Sequence, residues 1–322
     1  MPTFDVTIAG ELNLDLILYG FPESLPPERE LLASDMSLTL GSSSAIVAHN
    51  LAALGASVGL TSCVGHDDFG TIALKRLSAI GVDVSTVVKM DAPAKTGLTV
   101  ILPRDKWRNI LTYSGTISQL TPQHLDFEFL ASARHFHLSS YFLQTGLQTF
   151  IPELFRRLKS AGLTISLDTN DDPADQWQSG IERVLPLVDV FLPNEREAQK
   201  ITGTSNLEDA LSCLTELVPL VIVKLGPQGA MACRGRERVT APAVPVECID
   251  SVGAGDSFDA GFLRAYVQGA DLKQCLQTGN LAGALSVTKT GGTEAFRDAT
   301  HRERFLAVHD APASSVVKPG YR

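Results

Sequence analysis

Three small residues stand directly before an acid in the run Asp250-Ser251-Val252-Gly253-Ala254-Gly255-Asp256-Ser257-Phe258. Glycines let a backbone turn tightly and aim successive N–H groups at one point. Phe258, Phe262 and Tyr266 follow at i, i+4 and i+8, the spacing of an amphipathic helix beginning at the acid. A helix N-terminus carries about half a positive charge, so the place suits an anion. A carboxylate beside a simple anion hole would be counterproductive. It makes sense if Asp256 accepts a proton from a hydroxyl while the N–H groups of Gly253, Ala254 and Gly255 hold a phosphoryl group under attack. The alternative is an ordinary loop with an acid in the first helical turn, where Asp is favoured for dipole reasons alone.

The full string resembles the second signature of the PfkB (ribokinase-like) carbohydrate kinases, D-[ST]-x-G-A-G-D-x-F, and meets every fixed position of it. The resemblance extends from Gly10 to about Gly292. It implies an ATP-dependent kinase acting on a primary hydroxyl of a small sugar or sugar acid, of the fructose, 2-keto-3-deoxygluconate or ribose class. Asp256 would be the general base, with Mg²⁺ required and K⁺ as a further cation near Asp250 and the carbonyl of Val252. Asn194-Glu195-Arg196-Glu197 looks like the family's N-x-x-E motif, whose acid helps hold Mg²⁺. An Asn followed three residues later by Glu is also a capping box.

Lys224-Leu225-Gly226-Pro227-Gln228-Gly229 resembles the family's strand–LGxxG element, which implies nucleotide contacts at Lys224, Gly226 and Gly229. Read alone, it is a strand-to-strand turn with Lys224 neutralising phosphate or ending the strand at solvent. Asn280, in an Ala-rich helix, matches the helix beside the adenine. At the N-terminus Asn13 and Asp15 follow the first strand and face one side of an extended segment, where an amide and a carboxylate suit sugar hydroxyls. Gly41-Ser42-Ser43-Ser44-Ala45-Ile46 occupies the place of the first family signature but departs from it. Ser42 replaces the second Gly and Ile46 replaces an Asn that usually helps bind the sugar, so Gly41 and Ser42 are the substrate contacts carried over here. Ser42–Ser44 supply replacement hydroxyls or cap the helix. Asp168-Thr169-Asn170 resembles a D-x-N element near the active site or is a strand-end turn, and Ser139 and Ser140, just after a strand, could touch substrate. His135 and His137 share a strand face without a third ligand, and read as core or pocket-edge residues.

These residues need an α/β frame. Phe4–Ala9, Val58–Val64, Arg134–Leu138, Leu163–Asp168, Val188–Leu192 and Leu220–Lys224 read as strands. Segments near 44–55, 69–80, 146–161, 195–202, 206–217, 256–268 and 271–289 read as helices. The alternation predicts one α/β domain over 1–322, a three-layer αβα arrangement around a mostly parallel sheet. Two stretches, approximately 13–40 and 96–113, break the rhythm with four strand-like pieces and a charged tip at Arg104-Asp105-Lys106. The resemblance implies that they form a small β-sheet lid over the sugar, through which two subunits pair as a homodimer.

With 322 residues and 44% hydrophobic side chains the chain can bury a large core. A net charge of −9 argues against nucleic acid or an anionic membrane as partner. Five scattered cysteines without CxxC spacing fit a reduced compartment. The start, Met1-Pro2-Thr3-Phe4-Asp5, lacks a basic leader and no apolar run approaches membrane-spanning length, so a cytoplasmic location is expected. No Walker A, GxGxxG or GxSxG pattern occurs. Two other functions stay open at this point. One is a nucleoside kinase of the same fold, for which Trp107 would offer an aromatic platform. The other is a non-catalytic sugar- or nucleotide-binding relative.

Overall fold

The computed structural model describes residues 2–104 and 107–309, with Trp107 described in its backbone only. Asp105 and Lys106 of the expected charged tip, and the last dozen residues, lie outside the described residues.

The main sheet has eight strands. From edge to edge they are Glu237–Ala241, Ala230–Arg234, Leu220–Lys224, Val190–Phe191, Thr164–Leu167, Ala133–Leu138, Phe4–Ala9 and Val58–Thr61. The six from Leu220–Lys224 to Val58–Thr61 are mutually parallel, and an antiparallel hairpin closes the other edge. Strands buried on both faces read as near-continuous apolar runs, as Leu220-Val221-Ile222-Val223 does. One apolar layer includes Phe136, Leu138, Phe155 and Leu214. Ile8, Val47, Leu51, Phe262 and Leu276 belong to a second. Phe4–Ala9 pairs with Val58–Thr61, the next strand of this sheet along the chain, on one side and with Ala133–Leu138 on the other. That reversal of strand order leaves a crevice at the strand C-termini, where open α/β sheets bind ligands. Gly10 and Glu11 emerge there.

A second, four-stranded sheet runs Asp35–Leu40, Asn13–Tyr19, Gly97–Arg104, Trp107–Tyr113. Asn13–Tyr19 is antiparallel to the first of these and parallel to Gly97–Arg104. Ile17 and Ile101 bury against Val252, with Tyr19 packed alongside, so this sheet meets the main body at the acid-bearing loop.

Several elements differ from expectation. Val58–Val64 is two strands, Val58–Thr61 in the main sheet and Cys63–Gly65, which pairs with Val88–Met90. The strands at Leu163–Asp168 and Val188–Leu192 shorten to Thr164–Leu167 and Val190–Phe191, and the helix near 146–161 begins only at Ile151. The LGxxG turn does lead into another strand, Ala230–Arg234. The helix after the signature starts at Ala254 and is not amphipathic: every residue from Asp256 to Leu263 is buried. It is gripped by the helices Ser43–Ala53 and Leu272–Ser286. A Cβ on Gly261 would fall 2.5 Å from the Thr278 carbonyl oxygen, so only a glycine permits this approach.

Candidate active site

Gly253 caps the helix Ala254–Val267 in a left-handed conformation with φ at 71°. A Cβ there would stand 2.6 Å from the Gly292 Cα, so both φ and space demand glycine. The first N–H groups of a helix have no partner within it. Ala254 N–H donates to the Ser251 carbonyl at a long 3.3 Å. The capping turn thus presents its amides where the helix dipole is positive.

Asp256 sits in the first turn with only 8% of its surface exposed. Burial is the main force pushing its carboxyl up to about 6, and the Asp168 charge adds to it. Lys224, the Ser43 hydroxyl and the Asn170 amide pull the other way. Asn170 Nδ2 donates to Asp256 Oδ1 at 3.3 Å, while its own Oδ1 accepts from the Ser140 N–H at 2.8 Å. The backbone N–H of Asn170 donates to Asp168 at 3.2 Å. The Asp168-Thr169-Asn170 and Ser140 positions therefore meet at the acid. Ser139 does not join them; its hydroxyl bonds His137.

Lys224 does not end its strand at solvent. Its Nζ donates to Asp168 at 2.6 Å and to both oxygens of Asp259 at 3.2 and 3.3 Å. Burial works against the ammonium charge, and Asp168, Asp259 and Glu197 outweigh it. At Asp168 burial is likewise overcome, chiefly by Lys224, and the carboxyl is held below its usual range. Asp259, buried and facing the Asp168 charge, is pushed well above its range despite Lys224, which favours its protonated form. Asp259 was not singled out by sequence reasoning. Its signal was available: an acid one turn after Asp256, in a helix otherwise apolar on that side.

Asn194 and Glu197 form a reciprocal cap. Asn194 Oδ1 accepts from Glu197 N–H at 2.9 Å, and Glu197 Oε2 accepts from Asn194 N–H at 2.8 Å. Glu197 Oε1 takes the Asn194 amide at 2.6 Å. Burial first, and the Asp168 charge second, push Glu197 up to about 7.

One cavity of about 430 Å³ gathers Lys224, Gly226, Gly229, Ala254, Gly255 and Asn280. Its walls are apolar at Val244, Val246, Phe258, Ala284 and Val287, and Lys224, Ser251 and the Gly255 helix start also line it. A largely apolar slot with a few placed polar groups is the usual form of a small-molecule site. Asn280 Nδ2 donates to the carbonyls of Ala241 and Pro242 at 3.0 Å, tying its helix to the end of the edge strand.

Asn13 and Asp15 lie on one face of their strand and touch at 3.4 Å, both buried. Burial pushes Asp15 up to about 7; Asp256 and Asp250 act in the same direction, while the Thr99 hydrogen bond and the Arg108 charge oppose. A Cβ on Gly41 would fall 2.1 Å from Asp15 Oδ1 and 2.6 Å from Asn13 Nδ2. Gly41 is thus the floor on which the pair rests. Ser42 serves the helix: its hydroxyl accepts from Ala45 N–H at 3.2 Å and donates to the Glu11 carbonyl at 2.8 Å. Its proton is committed to Glu11 and its oxygen caps the helix, the second of the two roles that the sequence offered for Ser42–Ser44. Ile46 packs against Gly253 and Gly292, so the apolar replacement lies beside the turn that starts the helix Ala254–Val267. Glu11, missed from sequence, is buried and accepts from Gln144 Nε2 at 2.5 Å and Ser44 Oγ at 2.8 Å.

Asp250 accepts from Val252 N–H at 3.0 Å and from Gly291 N–H at 2.9 Å. His135 and His137 are core residues bonded to the hydroxyls of Thr164, Ser166 and Ser139. Burial lowers them to about 3 and about 4. The side chain of Trp107 lies outside the described residues. Among the described residues no helix is long and apolar enough to cross a membrane.

A model of the pfkB family carbohydrate kinases matches residues 4–299. The 2-dehydro-3-deoxygluconokinase of Bacillus subtilis is 30% identical over 287 residues, 85% of this chain and 89% of that protein. A nucleoside kinase of Methanothermobacter thermautotrophicus is 28% identical over 294 residues, covering 90% and 91% of the two chains. Among solved structures, an E. coli protein described as a ribokinase II in complex with ATP and Mg²⁺ superposes with a TM-score of 0.83 at 28% identity. That superposition covers 95% of this chain and all of the other.

Proposed function

This chain belongs to the pfkB family of carbohydrate kinases, and from that premise we propose that it transfers the γ-phosphoryl group of ATP to a primary hydroxyl of a small sugar or sugar acid. The observation that carries this reading is the position of Asp256: a buried carboxyl in the first turn of the helix whose opening residues, Ala254 and Gly255, line the 430 Å³ cavity. Adenine would lie against Val244, Val246 and Ala284, with the phosphates toward Gly255.

Asp256 takes the proton of the acceptor hydroxyl as that oxygen attacks phosphorus. Its raised carboxyl, at about 6, is ionised at neutral pH yet basic enough to accept it. Asn170 fixes which carboxylate oxygen faces the acceptor. The amides of Gly253 and Gly255 would meet the charge that builds on the phosphoryl oxygens, and the Ala254 N–H would join them by leaving its long 3.3 Å bond to the Ser251 carbonyl. Catalysis of this kind is mostly positioning and electrostatics. Asn13, Asp15 and Gly41 would bind the sugar, and the small sheet that carries the first two would close over it as a lid and exclude water.

The donor set suits Mg²⁺. Four carboxyls, Asp168, Glu197, Asp256 and Asp259, surround one ammonium, Lys224; even with Asp259 favouring its protonated form, the carboxylates of Asp168 and Asp256 outnumber it at neutral pH, so the region is short of positive charge. Mg²⁺ keeps several waters and uses one or two carboxylates with substrate phosphates. Among the described residues no three His, Cys, Asp or Glu group into a metal site of their own, so substrate phosphates and water would have to complete the ion's shell. Glu197, with both oxygens on Asn194, would act through water, beside Asn194. The ion would screen the phosphate charge. K⁺ would sit by the Val252 carbonyl and Asp250, and activity independent of K⁺ would remove that part. Two copies would pair through the lids.

A coupled ADP assay comparing fructose, 2-keto-3-deoxygluconate, ribose and adenosine tests the reading. Turnover with a sugar or sugar acid is expected. Preference for adenosine would move the chain to the nucleoside kinases.

A further inference from the structure

Ile46 and Asn50 stand four residues apart in the helix Ser43–Ala53, so they share one face. That face meets two glycines. Ile46 packs against Gly253 and Gly292, and Asn50 reaches the same pair through hydrogen bonds. Asn50 Nδ2 donates to the Gly292 carbonyl and to the Ser257 hydroxyl, each at 2.9 Å. Ser257 Oγ donates in turn to the Gly253 carbonyl at 2.7 Å.

The amide can be oriented in one way only. A carbonyl accepts and never donates, so the Asn50 atom facing Gly292 is the nitrogen. Asn50 Oδ1 then accepts from His49 Nδ1 at 2.8 Å. Both side chains are fully buried. Burial lowers the His49 ring to about 4, so it is neutral, with its one proton facing Asn50. Both amide protons and the amide oxygen of Asn50 are therefore engaged.

These bonds end on a peptide plane. The Gly253 carbonyl and the Ala254 N–H belong to one planar unit, so turning either turns the other. Glycine tolerates many backbone angles, which leaves the plane to be set by what its carbonyl bonds. That carbonyl accepts from the Ser257 N–H at 2.8 Å as well as from the Ser257 hydroxyl. We propose that Asn50 is a positioning residue for phosphoryl transfer: through Ser257 it fixes the Gly253–Ala254 peptide, and with it the aim of the Ala254 N–H at the transferred group. Through Gly292 it holds the other side of the same turn. Being buried, Asn50 itself would touch neither acceptor nor nucleotide. The proposal rests on the phosphotransfer reading.

The test measures steady-state kinetics in Asn50→Leu, Ser257→Ala and the double variant, with whichever acceptor the wild type turns over. Calorimetry adds the affinities for ADP alone and for ADP with Mg²⁺ and tetrafluoroaluminate, a mimic of the transferred phosphoryl group. Removing an anion-hole donor costs about 10²–10³ in kcat, and misaiming one should cost about 10-fold in each single variant. Acceptor KM and ADP affinity should stay within about 2-fold, while affinity for the mimic falls about 10-fold. The double variant should be no worse than the poorer single, because both changes break one relay. Unchanged kcat in Ser257→Ala, which removes a single hydroxyl, would overturn the proposal even if Asn50→Leu failed to fold. So would multiplied losses in the double variant, or an equal loss of ADP affinity, which would mark a loosened fold. A wild type that turned over no acceptor would instead bring down the phosphotransfer reading, and this inference with it.

Discussion

At Asp256 the burial that lifts the carboxyl to about 6 sets both its reactivity and its cost to the fold. In the proposed role of base it must be ionised, so kcat/KM should rise with pH through a midpoint near 6 and then level. A pH–rate profile lacking that limb would place the base elsewhere. Asp256→Asn should lower kcat by at least ~10²-fold while ATP still binds; near-normal turnover would exclude Asp256 as base. The stability effect has the opposite sense. Between the ordinary carboxyl value of 3.8 and about 6 the folded chain holds a proton that the unfolded chain releases. Stability therefore falls as pH rises through that window, and the penalty is complete above it. Asp256→Asn should raise the unfolding free energy at pH 8 by up to about 3 kcal/mol and leave it unchanged below pH 4. Urea titrations at the two pH values check this.

At the scale of elements, glycines decide how closely the parts approach. Gly41→Ala would drive a methyl into Asp15 and Asn13. The expected outcome is a rise in sugar KM of at least about 10-fold, equivalent to about 1.4 kcal/mol, with ATP binding retained. An unchanged KM would remove Asn13 and Asp15 from the sugar site. Gly261→Val would push the helix Ala254–Val267 away from Leu272–Ser286 and should cost about 1–3 kcal/mol of stability by urea unfolding. The elements themselves were legible where the pattern was local. Leu220–Lys224 and Glu195–Thr202 fall where periodicity put them. The hairpin Ala230–Arg234 and Glu237–Ala241 was passed over, because an edge strand with Glu237 and Arg238 lacks a continuous apolar run. The reading of 256–268 as amphipathic failed because two helices and a sheet cover that segment at once, which no periodicity records.

For the molecule as a whole, the small sheet is the part with unfinished surface. Its outer strand exposes Ile110, Leu111 and Tyr113 by 54–57% each and, among the described residues, leaves one edge unpaired. If two copies pair there, sedimentation should give a dimer, and Ile110→Lys with Leu111→Lys should give a folded monomer. A wild-type monomer at all concentrations would end the pairing proposal.

The amino-acid sequence by itself determined the α/β class, the two interruptions that become the small sheet, and the acid-bearing signature at Asp250–Phe258. These rest on composition, periodicity and contiguous residues, so they survive without coordinates. Only the tertiary structure decided the fate of Lys224, whose partners Asp168 and Asp259 stand 56 and 35 residues away. It likewise decided the commitment of the Ser42 hydroxyl and the reach of Asn50 to Ser257. Which charge is spent and which is free depends on distances of a few ångströms between distant segments, and a one-dimensional pattern carries none of them.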